Sequence, residues 1–451
     1  MTLLMTRTLR TQDLHSSLAD PILDTMNFLN EITSRYPGAI SFAAGRPYGG
    51  RFETAKILTY IGRYIDELAQ SGSSPDEIRE ALFQYGPTGG RIRELIAKSL
   101  REDEGIDVEP ESIVVTVGCQ EAMVLAVRAL ITGPDDVLLV ANPCYVGIAG
   151  AARLLDVTVV PVDEHGDGLR CADVDAAIEA VRSRGQRPRA LYVVPDHSNP
   201  SGTTMSAPTR QEVLDLAAKR DILILEDSPY RLVSPGHPAP SLKALDRRRR
   251  VIHLGSFSKT AFPGARVGYV IADQRVVDPA GKTGLLADEL AKIKSMVTVN
   301  TPSLSQAAIA GMLLECGGRI SQHSKQVAAH YGEAMQCALG QLGEWFPAGA
   351  RAAQGVHWNK PPGGFFLTLR VPFRAGNEAL TRSAEKYGVI WTPMSYFYLH
   401  GGGYRSIRLS VSCLTTAEIK EGIARLASFI EDEAERYEPI TDSRFAGEER
   451  A

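Results

Sequence analysis

"GSFSKTAFPGARVGY", Gly255–Tyr269, sits between two apolar runs, "VIHL" at Val251–Leu254 and "YVIA" at Tyr269–Ala272. One strand ends in small residues and hydroxyls, with a single lysine, Lys259, among them. A lysine at the mouth of a strand is usually a solvated charge. Lys259 has Ser256 three residues before it, Ser258 beside it and Arg266 seven residues after it. That grouping suits holding an anion while keeping an amine reactive.

Outward from this stretch, β-rich runs alternate with helical stretches between about 112 and 272. They are "SIVVTVG" (112–118), "DVLLVANP" (136–143), "VTVVPV" (157–162), "ALYVVPD" (190–196), "DILILED" (221–227), "VIHLGSFS" (251–258) and "RVGYVIA" (266–272). Several are apolar nearly throughout, which predicts strands buried on both faces. The expected fold is α/β, a large domain with a mainly parallel seven-stranded sheet flanked by helices. Beyond Pro302, residues 304–346 read as helices, one of them long, and "GGFFLTLRV" and "SIRLSVS" read as strands of a smaller α+β domain. "TTAE" opens a final helix, with Thr415 as cap, Glu418 three residues on and an apolar face from Ile419, Ile423, Leu426 and Ile430. The expected division is 1–49 (N-terminal arm and part of the small domain), 50–320 (large domain) and 321–451 (small domain). The tail after Tyr437 reads as loosely ordered.

Open α/β sheets bind ligands at the carboxyl ends of their strands. At the first such end, Gly118, Cys119 and Gln120 start a helix whose free N–H groups can cradle phosphate, although many strand–helix turns look alike. Tyr145, after the second, can face a flat ligand or simply fill the core. Asn199–Pro200 makes a tight turn that aims the Asn side chain, with a cis bond as one option. Asp227 ends an apolar strand, where a carboxylate needs a cation or donors unless it caps a helix. Tyr230 follows three residues later. Each feature alone has a bland alternative. Together with Lys259 they describe a cationic heteroaromatic phosphate held by an amine, and pyridoxal phosphate fits each of them.

The chain has 451 residues, 44% hydrophobic and 23% charged, with a net charge of −4. This is a globular composition that gives no electrostatic reason for nucleic-acid or membrane association. The basic run Arg247–Arg250 reads as a solvated turn. The six cysteines form no CxxC pair and no histidine cluster accompanies them, so no metal site is expected and reduced cytoplasmic thiols are. The N-terminus lacks an apolar core of secretory length, and no run approaches the ~20 residues that span a bilayer.

"QYGPTGGRIRELIA", "VGCQEA", "SNPSG", "EDSPY", "GSFSK", "PPGGFF" and "SIRLS" stand in the order and spacing of a known family. The chain resembles the fold-type-I, class I and II aminotransferases from about "AISFAAGRP" to the last helix. The resemblance implies that Lys259 is the Schiff-base lysine and moves protons, and that Ser256, Ser258, Arg266 and the turn Gly118–Cys119–Gln120 hold the phosphate. The family often has Ser where Cys119 stands. Tyr145 stacks on the ring, Asp227 faces the pyridine nitrogen, and Asn199 and Tyr230 donate to the phenolic oxygen. Arg408 clamps the substrate carboxylate, and Tyr85 reaches the cofactor of a neighbouring subunit in a homodimer. Gly45 and Arg46 pass the substrate side chain; Arg46 or Tyr48 contacts it, or Arg46 is an ordinary surface residue. The N-terminal phrase 20–48 and "YVVPDHSNPSG" are similar to hydroxyphenylglycine-type transaminases of nonribosomal-peptide pathways, whereas other members take aminoadipate, kynurenine, branched-chain or aromatic amino acids. Two competing expectations are another pyridoxal-phosphate reaction on the same scaffold (β-elimination, cyclisation or oxidation) and a regulatory protein without catalysis. Retention of Lys259 and Asp227 argues against the second.

Overall fold

The computed structural model describes residues 8–436, apart from 167, 237, 351 and 352. After a short strand β1 (Ile40–Ser41), the chain lays down β2 (Ile113–Thr116), β3 (Asp136–Asn142), β4 (Thr158–His165), β5 (Gly168–Leu169), β6 (Arg187–Val193), β7 (Leu223–Asp227), β8 (Val251–Ser256) and β9 (Gly268–Ile271). They form one sheet in the order β2-β9-β8-β7-β6-β3-β4-β5. The pairs β4–β3, β3–β6, β6–β7 and β7–β8 are parallel, and β9 runs antiparallel to both β8 and β2. The seven expected strands are all present. The eighth, β5, is a two-residue edge strand antiparallel to β4, too short to leave an apolar signature.

The apolar runs bury both faces. Leu138, Val140, Leu225 and Ile252 pack on the side of the Gly118–Leu130 helix. Their neighbours Val137, Leu139, Ile224 and Val251 pack on the other side with Val174, Ile178 and Val213 of the helices Cys171–Ser183 and Ala207–Arg220. Each fully buried aliphatic side chain contributes about 1.5–3 kcal/mol, so helices are required on both faces.

The hairpin β10 (Arg275–Val277) and β11 (Thr283–Leu285) follows. The helical region then breaks at Gly317–Gly318 into Ser303–Glu315 and Ile320–Trp345. The longer helix starts in the core of the large sheet at Ile320 and reaches a second core by Ala334. That core lies under an antiparallel sheet of β12 (His357–Trp358), β13 (Phe366–Arg370), β15 (Thr392–Pro393) and β16 (Ser406–Ser410), ordered β12-β13-β16-β15. Strand β14 (Val389–Ile390) pairs in parallel with β1, which brings the N-terminal segment and Phe42 into the same core. The final helix, Thr416–Arg436, carries the expected capping box: Thr415 N–H donates to Glu418 Oε2 at 2.8 Å and Glu418 N–H to Thr415 Oγ1 at 3.3 Å. The tail expected to be loosely ordered lies outside the described residues. No described helix is long and apolar enough to cross a membrane.

Candidate active site

The carboxyl ends of β2, β6, β7 and β8 open towards the second sheet, and the singled-out residues meet there. Gly118 begins its helix at φ +74°, with no side-chain cap from Val117, so the first N–H groups are left for a ligand. A Cβ on Gly118 would stand 2.5 Å from Arg266 Nη2, and one on Gly268 would stand 2.8 Å from Cys119 N. The cradle is therefore one that side chains would fill. Ser256 Oγ and Ser258 Oγ lie 2.9 Å apart beside it. Arg266 makes no ion pair among the described residues. A helix start, two hydroxyls and a free guanidinium are the donor set a phosphate needs. Gly118→Ala combines left-handed strain of about 1–3 kcal/mol with displacement of Arg266. Its expected result is cofactor affinity lower by about tenfold or more, read by equilibrium dialysis.

Asp227 is buried, 3% exposed. Its Oδ2 accepts from Tyr192 Oη at 2.6 Å and its Oδ1 from Cys119 Sγ at 3.3 Å. It has no ion pair among the described residues, and burial pushes its carboxyl up to about 6. Such a group is stabilised by a cation placed against it. Cys119 thus turns its thiol to Asp227; its backbone N–H remains available at the helix start. Tyr192 was not legible as a site residue. The signal was a hydroxyl inside the aliphatic strand "ALYVV", where a buried Tyr needs a partner.

Lys259 Nζ donates to the carbonyl of Gly45 at 3.0 Å. Burial, with Arg266 and Arg408 nearby, outweighs the carboxylate of Asp227 and pushes its amine down to about 8. A lowered amine pKa means the neutral, nucleophilic form grows as pH rises through about 8. The expected rate of pyridoxal phosphate capture by the apoprotein therefore rises to a plateau above about pH 8, measured by stopped-flow absorbance. An ordinary lysine would still be climbing at pH 10.

Arg408, on β16, is 2% exposed and has no carboxylate partner among the described residues. Its Nη1 donates to Asn199 Oδ1 at 2.6 Å, and its Nη2 to Ala43 O at 2.6 Å and Thr392 Oγ1 at 3.3 Å. Phe366 and Phe397 flank the guanidinium, with ring centroids 4.6 and 4.7 Å away. Asn199, in a cis Asn199–Pro200 turn, donates through Nδ2 to Tyr230 Oη at 3.4 Å, which orients both towards the same side. Tyr145 immediately precedes the helix Val146–Leu154 and packs with Met394 and Phe397. Gln120 is spent on the Gly147 carbonyl, at 2.9 Å.

The segment 43–46 closes the site. Its carbonyls accept in turn from Arg408, Ser410, Lys259 and Ser412. Arg408 and Ser410 on β16 and Ser412 just beyond it alternate along the chain, a long-range arrangement that no local pattern announces. Arg46 is exposed, Tyr48 packs on His330 with ring centroids 4.5 Å apart, and Tyr85 is 79% exposed, away from the cluster.

Residues 65–426 match the family model described as aminotransferase class I and II. The chain is 46% identical over 423 residues to the (S)-3,5-dihydroxyphenylglycine transaminase of Amycolatopsis orientalis, covering 93% of this chain and 94% of that one. Among solved structures it is similar to an archaeal alanine:glyoxylate aminotransferase, with a TM-score of 0.79, 28% identity and coverage of 94% and 99%. It is also similar to an α-aminoadipate aminotransferase from Thermus thermophilus complexed with N-(5'-phosphopyridoxyl)-L-leucine, with a TM-score of 0.77, 28% identity and coverage of 95% and 99%.

Proposed function

The chain belongs to the class I and II aminotransferases, and from that premise we propose that it moves an amino group between an arylglycine-type α-amino acid and a 2-oxo acid. Pyridoxal 5'-phosphate is the cofactor, and the family's fold and the phosphopyridoxyl adduct of a relative support it. When bound, it supplies a ring that takes up the electron pair released as the substrate Cα–H bond breaks.

The observation that carries the residue roles is the convergence of Lys259 and Asp227, at strand ends of the large sheet, with Arg408 from β16 of the second sheet, each buried or half-buried and each without an ion-pair partner among the described residues. Arg266, Ser256, Ser258 and the helix start at Gly118–Cys119 hold the phosphate. Asp227, oriented by Tyr192 and Cys119, keeps the ring nitrogen protonated because an adjacent carboxylate favours the cation. Asn199 and Tyr230 would donate to the phenolic oxygen, and Tyr145 would lie against the ring. Lys259 would hold the cofactor covalently, and its amine would hold and move the Cα proton. Arg408 forks onto the substrate α-carboxylate, exchanging contacts with Ala43 O and Thr392 Oγ1 for charge-assisted bonds. Lysine cannot make that fork, so Arg408→Lys is expected to lower kcat/KM by about 100-fold, mostly through KM, in steady-state assays.

The aromatic and apolar groups around Arg408 (Tyr145, Phe366, Met394 and Phe397) favour an aryl side chain. A donor with a second carboxylate needs a second cation, and the sequence candidate, Arg46, is exposed. The 46% identity to a dihydroxyphenylglycine transaminase points the same way and to a role in secondary metabolism. A half-reaction screen tests this. Phenylglycines are expected to exceed 2-aminoadipate and alanine in kcat/KM by tenfold or more; a preference for 2-aminoadipate would overturn the substrate class.

We also propose a homodimer with shared active sites. Leu58, Phe83, Tyr85 and Leu304 expose 52–79% of their surface on three neighbouring helices and the loop after the second, a face that suits burial against a second copy and would bring Tyr85 to its phosphate site. Free cysteines throughout the described chain fit a cytoplasmic location. The two cores support a large domain at 50–320 and a small one formed by 321–451 with part of 1–49.

A further inference from the structure

At the other end of the large sheet, where β6 and β7 begin, lies a cavity of about 740 Å³. The Gly118–Leu130 helix separates it from the active site: Gly118 stands at the phosphate cradle and Leu130 lines the cavity. Thirteen residues at 1.5 Å each put about 20 Å between them.

Six basic residues line this cavity: Arg189, Arg248, Arg249, Arg250, Arg275 and Lys292. Glu289 is the one acidic lining residue, and Lys292 Nζ pairs with it at 2.7 Å. Arg250 is paired with Asp221 at 2.5 Å, while Arg248 stands 3.8 Å from Asp215 and Arg189 stands 3.9 Å from Asp136. Arg249 and Arg275 have no ion pair among the described residues. The floor is apolar, formed by Leu130, Leu223, Val276, Leu286 and Ile293.

The arginine run is a fixed turn. Arg249 is held at φ +52°, a left-handed conformation that a side chain disfavours. Gln274 Nε2 donates to both Arg249 O, at 3.1 Å, and Val251 O, at 3.0 Å. Asp246 accepts from Arg248 N–H at 2.9 Å and from Val251 N–H at 2.8 Å. A merely solvated turn requires none of this. The backbone of this turn is thus held in place beside two guanidiniums, Arg249 and Arg275, that have no ion pair among the described residues. Its size is that of a small-molecule pocket.

We propose that this cavity binds a phosphorylated small molecule with an apolar ring body, of the nucleoside di- and triphosphate class. Its phosphates lie on the forks of Arg249 and Arg275, and its ring covers the Leu223–Ile293 floor. Guanidinium forks match phosphate geometry, several of them call for more than one negative charge, and the apolar floor distinguishes the ligand from a bare polyphosphate.

The test is calorimetric titration of the holoenzyme, its cofactor site saturated, with ATP, tripolyphosphate and adenosine at about 0.15 M salt. Saturable binding of one ATP per chain is expected, at least tenfold tighter than tripolyphosphate, with adenosine weaker still. The double variant Arg249→Ala/Arg275→Ala is expected to weaken ATP at least tenfold while turnover and cofactor absorbance stay unchanged. Should that variant fold poorly, Arg275→Ala alone, at an exposed hairpin residue, is expected to weaken ATP several-fold. Absence of saturable ATP binding, or ATP affinity indifferent to the substitutions, overturns the site. Tripolyphosphate binding as tightly as ATP overturns the nucleoside class.

Discussion

Lys259→Ala is expected to lower transamination by about 10⁴-fold or more, the scale set by loss of covalent attachment together with positioned proton transfer, while the protein still binds pyridoxal phosphate. The amine is half-buried, rests on the Gly45 carbonyl and is pushed down to about 8, so it is reactive near neutral pH. The groups assigned to the phosphate and the ring (Arg266, Ser256, Asp227 and the helix start at Gly118) sit on other atoms and survive the substitution. Affinity and turnover therefore separate. Dialysis measures the first and oxo-acid release the second. A small primary amine added to the variant is expected to restore part of the proton transfer. Undiminished turnover in Lys259→Ala would remove the lysine from the chemistry.

Asp227→Asn is expected to lower kcat by about 10³-fold, the equivalent of about 4 kcal/mol for removing one member of a buried charge pair. The substitution keeps the shape, and Tyr192 Oη can still donate to an amide oxygen. The loss is then electronic: a neutral amide does not favour the protonated ring nitrogen. The same carboxylate gives a pH signature. Its pKa without the cofactor is raised to about 6 by burial, so the charged form that attracts the ring cation is present above about 6 and lost as pH falls through it. Cofactor affinity is expected to fall below about pH 6 in the native protein and to be flat there in Asp227→Asn. A variant with native kcat would mean that the carboxylate serves the fold alone.

What was legible in the sequence was local. Apolar runs such as "DVLLVAN" announce doubly buried strands, and the breaks after them (Gly118, Asn199–Pro200, Asp227 and the hydroxyls around Lys259) mark the ends where ligands bind. Thr415 and Glu418 announced the last helix in the same way. The rest depended on partners far apart in the chain. The parallel pairing of β1 with β14 joins distant segments, and nothing in "AISF" names its partner. The bond from Tyr192 to Asp227 crosses from β6 to β7, and the Cys119 thiol turns to a carboxylate that no spacing linked to it. Arg247–Arg250 looked like a charged turn because composition cannot show that Gln274 and Asp246 hold it in place. "SIRLSVS" read as a strand and Arg408 as a carboxylate clamp, but nothing there showed that Arg408, Ser410 and Ser412 fasten the segment 43–46.

The central claim is that these strand ends pass an amino group to and from the cofactor, and one single-turnover measurement tests it most directly. Holoenzyme is mixed with excess phenylglycine and no oxo acid, and both the cofactor absorbance and the released products are followed. The account predicts one equivalent of oxo acid per active site, no free ammonia, a cofactor left in its amine form, and full reversal when a 2-oxo acid is added. Continuous release of ammonia, or turnover with the cofactor left as the aldehyde, would contradict it and assign the same residues to a different reaction.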